Sequence, residues 1–482
     1  MSECCLARHP FDRQYINGAW VPSTGTEKIE VENPATLERF ATVPDGTPED
    51  VNRAVAAAKA AQPAWEKVPM AHRIEIMRKV IDHLKEHADE ITELEVRELG
   101  APVTFTRNLH VNYPIARVLS FTDLAEKVPL TVDFPESTCT REPVGVVACI
   151  TPWNYPLGQV VQKVPPAILM GNTVVLKASQ HTPLTAYFLA EAFEAAGLPP
   201  GVFNLVSGRG RKLGERLATH PDVDMVSFTG STAVGSMLGR LGLESVKRIH
   251  LELGGKSPFV FLPGIEDYAP AVKKLFDSIF LNAGQTCTAL SRLLVPKAEF
   301  EPVKAALLKA LPQYAAGDPT NPKTAVGPLS SRAQYDKVRS YLLLGLEEGA
   351  RLLAGTVPPE EPEGGYFIEP AIFVDVQNDM RIAREEIFGP VLCVLTYETV
   401  DEAVEIANDT PYGLNAAVWG PKSEAIAVAK RIRAGNVYVN DGPRDITAPF
   451  GGMKASGLGR EGGPEGLFAF TEWRAVFDRG VL

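Results

Sequence analysis

Val144-Gly-Val-Val-Ala-Cys-Ile150 runs straight into Thr151-Pro-Trp-Asn-Tyr-Pro156, a short apolar run ending in a turn. A run this short and this continuously apolar reads as a strand buried on both faces, and such strands belong to parallel sheets covered by helices. The neighbouring sequence repeats the pattern. Asn172–Leu176, Val202–Val206, Met225–Phe228 and Ile249–Leu253 are further strand-like runs, and Thr182-Pro183 to Ala196, stopped by Gly197, reads as a helix between two of them. Short strands alternating with helices predict parallel βαβ units, hence an α/β fold with a doubly wound sheet.

The alternation restarts after Ser257, with strand-like runs at Phe259–Leu262, Arg292–Val295, Ala371–Val376, Val391–Tyr397 and Asn415–Trp419. The chain therefore reads as two doubly wound α/β halves joined near Gly254-Gly255. Ahead of them, Thr47-Pro-Glu-Asp-Val51 opens a helix, with Thr47 as N-cap, Pro48 at the first position and acids in the first turn. A second long helix is predicted over Ala71 to Leu99, ended by Gly100. Leu130–Arg141 and Phe468–Val476 are polar and β-branched, and each could be a plain surface hairpin.

With 482 residues the chain exceeds one ordinary core, so two or three domains are expected. A net charge of −11 and a pI of about 5.4 argue against nucleic acid or an anionic membrane as partner, since both need a basic surface. No run of about 18 apolar residues occurs, so no transmembrane helix is expected. The start, Met1 to Pro10, has no basic segment followed by an apolar one, so no secretory signal is read. Six cysteines without a C-x-x-C pair or a histidine cluster suggest no metal site and a reducing, cytoplasmic setting.

Cys149 and Cys393 lie in apolar strand-like runs, where a cysteine is a small buried hydrophobe. Cys287 does not: Gly284-Gln-Thr-Cys287-Thr288 is a small polar turn after an apolar run. Upstream stand Glu252, in Glu252-Leu-Gly-Gly-Lys256, and Asn154. Alone, Glu252 would be a partnered strand-end carboxylate and Asn154 a turn residue before Pro156. Together with a thiol they are the parts needed to attack a carbonyl, hold the oxyanion and activate a water. Two further features suit a nucleotide. Lys177 ends a strand, where a cation can meet a ribose or phosphate, or simply be solvated. Gly230-Ser-Thr-Ala-Val-Gly235 opens a helix whose free N–H groups can face a pyrophosphate, although a lone G-x-x-x-x-G is a weak signal.

Trp153-Asn154-Tyr155-Pro156, Phe228-Thr-Gly-Ser-Thr232, Glu252-Leu-Gly-Gly-Lys256, Gly284-Gln-Thr-Cys287, Glu386-Ile-Phe-Gly-Pro390 and Pro449-Phe-Gly-Gly452 occur in one order and spacing. In this the chain resembles the aldehyde dehydrogenase superfamily, from about Tyr15 to about Glu472. The resemblance implies a Rossmann-like cofactor domain (1–122 and 145–254), a catalytic domain (255–455), and an oligomerisation arm with C-terminal tail (123–144 and 456–482). It implies Cys287 as nucleophile, Asn154 as oxyanion donor, Glu252 as general base, and Lys163 and Glu461 in proton relay or water ordering. For the cofactor it implies Thr151, Pro152, Trp153, Lys177, Gln180, Gly230, Ser231, Gly235, Gly254, Glu386 and Phe388. For the substrate it implies Tyr155, Thr286, Thr288 and Phe450, in a small-molecule aldehyde tunnel. A homodimer or homotetramer is expected. Members preferring NAD typically carry Glu at the position of Gln180; with that charge gone and Arg209, Arg211 and Lys212 nearby, NAD is expected with NADP possible. Gln159, Gln162 and Thr286, with Arg107, His110 and Arg444 if they face the tunnel, suggest a small polar or carboxylate-bearing aldehyde. The alternatives are a CoA-acylating semialdehyde dehydrogenase, which commonly lacks the Glu252 carboxylate, and a catalytically silent member.

Overall fold

The computed structural model describes residues 9–477, so Cys4 and Cys5 fall outside it. The first sheet has eight strands. Its five central ones are parallel, in the order Arg248–Glu252, Met225–Thr229, Val146–Ile150, Thr173–Lys177, Phe203–Leu205. Val147, Cys149, Val174 and Leu176 bury one face, Val146, Ala148, Val175 and Val226 the other. Burial on both faces is why Val146–Ile150 and the Val174–Leu176 run carry no polar alternation, whereas Arg248–Glu252, nearer the sheet edge, alternates. Strand order reverses between Val146–Ile150 and Met225–Thr229: the chain builds outward from the first in one direction, then returns to its other side. In doubly wound sheets a ligand binds at the carboxyl ends of strands flanking that reversal. Here those ends deliver Thr151 to Asn154 and Gly230-Ser231.

The second sheet has seven strands, from Arg351–Ala354 at one edge to Asn436–Val439 at the other, with Pro258–Phe261 and Arg292–Pro296 near its middle. All its pairings are parallel except that of Arg351–Ala354. A three-stranded antiparallel sheet joins Thr131–Phe134, Ser137–Pro143 and Thr471–Val476, so the two polar segments do come together. The Arg141 guanidinium lies between the Phe468 ring at 3.9 Å and the Trp473 ring at 4.2 Å. Gly457–Leu458, grouped with the arm on sequence, is instead an edge strand of the first sheet, hydrogen-bonded beside Glu252.

The helix Pro48–Trp65 starts as its sequence dictates: Asp50 N–H donates to Thr47 Oγ1 at 3.3 Å, and Thr47 N–H to the Asp50 carboxylate at 3.0 Å. The single helix expected over 71–99 is two, Met70–Glu86 and Ala88–Leu99, broken where His87 takes φ −97° and ψ 11°. The helix expected from Thr182 begins at Thr185, because its first N–H groups are capped from outside: the Glu98 carboxyl accepts from Leu184 N at 2.9 Å and Thr185 N at 3.2 Å.

Candidate active site

Cys287 sits in a strained turn. Asn282, Ala283 and Gly284 are successive left-handed residues, with φ of 55°, 52° and 71°. Such strain in non-glycine residues persists only where the surroundings enforce it, and it concentrates at functional sites. The enforcement is visible. Gln285 Oε1 accepts from Ser330 N at 2.9 Å, Gln285 Nε2 donates to Asn282 O at 3.0 Å, and Asn282 Nδ2 donates to Asn154 O at 2.8 Å. A Cβ on Gly284 would lie 2.1 Å from Gly389 O, so only glycine fits there.

Asn154 reaches this turn from the crevice of the first sheet. Its amide donates to Gln285 O at 2.9 Å, which holds the side chain still and leaves its second N–H for another acceptor. One cavity of about 160 Å³ is lined by Cys287 and Asn154 together with Trp153, Gly230, Glu386 and Phe388. Pro152, Ser231 and Gly254 also line it. The Trp153 and Phe388 rings meet edge-on at 5.5 Å. Glu386 accepts from Gly255 N at 2.9 Å, and a Cβ on Gly254 would lie 2.6 Å from Glu386 Oε2, so that glycine keeps the carboxylate in place.

Cys287 is half-buried. Loss of solvation, then the charges of Glu386 and Glu252, push its thiol up to about 12. Glu252 ends its strand with both carboxylate oxygens buried and without a hydrogen-bond partner. Burial, then Glu461, raises its carboxyl well above the ordinary range, against the pull of Lys163 and Arg460. Lys163 and Glu461 form a buried pair at 2.5 Å. Burial is the largest influence and works against ionising Glu461, but the Lys163 charge and hydrogen bond, together with His250 and Arg117, hold the carboxyl below its ordinary value.

The remaining expected residues are more dispersed. Thr151 is buried, its N–H bonded to Lys177 O at 3.1 Å. Lys177 is buried and pushed down to about 8 by lost solvation, with Asp45 opposing. Gln180 Oε1 accepts from Gly210 N at 3.0 Å. Arg209 is paired with Asp45 at 2.5 Å and Arg211 with Glu215 at 3.1 Å. Ser231 caps the helix Thr232–Leu243, but Gly235 does not face the cavity: a Cβ there would lie 2.3 Å from Leu253 Cδ2, so it lets the helix close on the sheet. Tyr155 and Thr286 bond each other at 2.9 Å, and Thr288 O accepts from Asn415 Nδ2 at 2.8 Å. Phe450, with Tyr438 and Arg444, lines a second cavity of about 170 Å³. Two suggested tunnel residues point elsewhere: Arg107 pairs with Asp89 at 2.5 Å, and His110 is buried against Glu95 at 3.0 Å.

Sequence reasoning missed Gln334 and Lys337, which line the Cys287 cavity one turn apart on the helix Arg332–Glu347. Gln334 Nε2 donates to Phe388 O at 2.7 Å, holding that residue at its left-handed φ of 62°. The i, i+3 polar pair was the available signal.

A strained thiol turn thus faces an amide donor across the strand-order crevice, and comparison with known proteins identifies the family. A profile of the aldehyde dehydrogenase family matches residues 20–476. The chain belongs to the aldehyde dehydrogenase family. It is 43% identical over 469 residues to a 3-succinoylsemialdehyde-pyridine dehydrogenase of Pseudomonas sp, covering 96% of this chain and 97% of that protein. Among solved structures, an alanine mutant of aldehyde dehydrogenase C from Pseudomonas syringae, in complex with NAD+ and octanal, is 41% identical with a TM-score of 0.95, covering 98% of this chain and 97% of that one. An aldehyde dehydrogenase of Mycobacterium tuberculosis complexed with NAD+ is 40% identical with a TM-score of 0.95, over 98% and 99% of the two chains. Like its family, this aldehyde dehydrogenase is an oxidoreductase that converts an aldehyde to the acid. Among the described residues no helix is long and apolar enough to cross a membrane.

Proposed function

We propose that this aldehyde dehydrogenase oxidises a small polar or carboxylate-bearing aldehyde with NAD+ and water, using Cys287 as nucleophile and Glu252 to release the acid. The observation that carries the reading is that Cys287 and Asn154 share one cavity with Glu386, Phe388 and Gly254 at the carboxyl ends of the strands. The residues fit a nicotinamide dinucleotide. Glu386 is kept clear by Gly254 to meet a ribose, Trp153 and Phe388 make an aromatic wall, and the helix start at Ser231 suits a pyrophosphate. Lys177 and Gln180 would take the far ribose. With Arg209 and Arg211 already paired, NAD is preferred and NADP tolerated.

Cys287 gives its proton to solvent through the cavity and attacks the carbonyl carbon, forming a thiohemiacetal alkoxide. The free N–H of Asn154 and the Cys287 backbone N–H hold that oxygen. When bound, the nicotinamide supplies the hydride acceptor. A thioester then remains on Cys287. Glu252, as carboxylate, takes a proton from water; the hydroxide adds, the C–S bond breaks and the acid leaves. The Lys163–Glu461 pair lies close enough to bias the Glu252 proton. A carboxylate at Glu252 favours water over coenzyme A as acceptor.

The substrate reading now rests on Arg444. Its guanidinium lies over the Phe450 ring at 4.7 Å and the Tyr113 ring at 5.6 Å, and its charge reaches Cys287 and Tyr155. A cation whose charge reaches the thiol suits an aldehyde with an anionic far end. The domain division implied by the family motifs is retained, with Gly457–Leu458 moved to the cofactor half. A homodimer or homotetramer is supported by exposed Trp473 and Val476 on the edge strand of the small sheet, and a cytoplasmic setting by the free cysteines. Initial rates with NAD+ and NADP+ across acetaldehyde, hexanal, benzaldehyde, betaine aldehyde and succinic semialdehyde test the reading; better kcat/KM for hexanal than for the semialdehyde would reverse the substrate assignment.

A further inference from the structure

The chain buries a carboxyl and an imidazole that the proposed chemistry does not use. Glu95, on the helix Ala88–Leu99, and His110 are both fully buried, and His110 Nδ1 lies 3.0 Å from Glu95 Oε2. Burying two titratable groups is costly, and an apolar pair of the same volume would serve packing as well. Their contacts lead to the active site instead. The other Glu95 oxygen accepts from Leu157 N at 3.3 Å. Leu157 is in the first turn of the helix Pro156–Leu169, whose N-cap residue Tyr155 supplies no side-chain cap. Glu95 therefore caps, from another helix, the helix that begins just after Asn154 and Tyr155. His110 reaches inward from a π-helical segment, Thr106–Asn112, a rare irregularity that tends to mark functional positions. Its ring lies 4.4 Å from the Tyr155 ring. The Tyr155 hydroxyl then bonds Thr286 Oγ1 at 2.9 Å, and the Asn154 amide bonds Gln285 O at 2.9 Å. Both ties land on the two residues preceding Cys287.

We propose that Glu95 and His110 are a positioning pair, which acts through Tyr155 and the start of the helix Pro156–Leu169 to hold the Cys287 turn against Asn154. The pair touches neither the thiol nor the cavity lining. It supplies rigidity to the two contacts that aim the nucleophile and its oxyanion donor, where small misplacements are expensive. The proposal rests on reading Cys287 as the nucleophile, but its main test needs no turnover.

The experiment is the pH profile of Cys287 alkylation by iodoacetamide, followed on the Cys287 peptide by mass spectrometry, in the protein without aldehyde or dinucleotide. Burial is the largest cause of the raised Cys287 thiol, so loosening the turn admits water and moves the profile down. His110→Ala and Tyr155→Phe should each lower its midpoint by about one pH unit and reduce kcat/KM on the order of tenfold, with NAD+ affinity held within about threefold. Because both act through one chain of contacts, the double variant should shift no further than the larger single one. Glu95→Gln, which keeps a polar partner for His110 and an acceptor for Leu157 N, should recover most of what Glu95→Ala loses. His110→Phe, which keeps the ring on Tyr155 but breaks the link to Glu95, must also move the midpoint, and it stands in if His110→Ala does not fold. An unchanged midpoint in His110→Phe and Tyr155→Phe, or shifts that add in the double variant, would overturn the proposal. Failure of the nucleophile reading would look different: Cys287→Ala would keep its dehydrogenase activity.

Discussion

Replacing Gly254 by Ala should weaken cofactor binding through one side chain. The new Cβ would lie 2.6 Å from Glu386 Oε2, 2.8 Å from Cδ and 2.9 Å from Oε1, all below ordinary contact distance. The Gly254 backbone is not left-handed, so alanine meets no conformational penalty of its own there. The carboxylate must swing away and give up its 2.9 Å bond from Gly255 N. A hydrogen bond to a charged group contributes about 1.5–3 kcal/mol. If Glu386 meets the nicotinamide ribose with comparable strength, its displacement should raise the Kd for NAD+ between about tenfold and 150-fold, at about 1.4 kcal/mol per tenfold. Quenching of tryptophan fluorescence on titration with NAD+ measures this directly, since Trp153 shares the cavity. Alkylation of Cys287 serves as a control for the rest of the site. A Gly254→Ala protein that binds NAD+ within twofold of the parent would refute the placement of Glu386 in the cofactor site.

Three other outcomes are expected. Glu252→Gln should speed Cys287 alkylation at a pH high enough to ionise Glu252 in the parent, because it then removes one of the charges that raise the thiol; an unchanged rate would mean the carboxylate does not act on the sulfur. The rate of acid release in the parent should rise with pH along a limb above the ordinary carboxylate range, since burial and Glu461 keep Glu252 protonated at lower pH and only its carboxylate can take a proton from water; that limb should vanish in Glu252→Gln. Arg444→Gln should cut kcat/KM for succinic semialdehyde on the order of tenfold while sparing hexanal, and equal losses for both would remove Arg444 from substrate recognition.

Much of the architecture was legible because burial on two faces leaves a plain signature. Val144–Ile150 and Met225–Phe228 carry no polar alternation, and Thr47-Pro48 with Asp50 spells out a helix start. The break at His87 left no trace, because buried Leu84, Ala88, Ile91 and Glu95 keep helical spacing across it. The start at Thr185 was misplaced because its cap, Glu98, comes from a distant helix. Cys287, Asn154 and Glu252 were legible as residue types in small polar or strand-end settings. What sequence could not convey was direction: His110 turns inward to Glu95 and Arg107 outward to Asp89, whereas Arg444 lies over the Phe450 ring. Nor could it convey that Gln334 and Lys337, some 50 residues from Glu386 and Phe388 in sequence, close the same cavity.

The central claim is that oxidation passes through an acyl group on Cys287. Mass spectrometry of Glu252→Gln, acid-quenched after mixing with NAD+ and a turned-over aldehyde, tests it most directly, because slowed hydrolysis should let the intermediate accumulate. The account predicts a gain on the Cys287 peptide equal to the aldehyde less a hydride and a proton, matched by a burst of NADH. A burst without any adduct on Cys287, or an adduct on another residue, would contradict it.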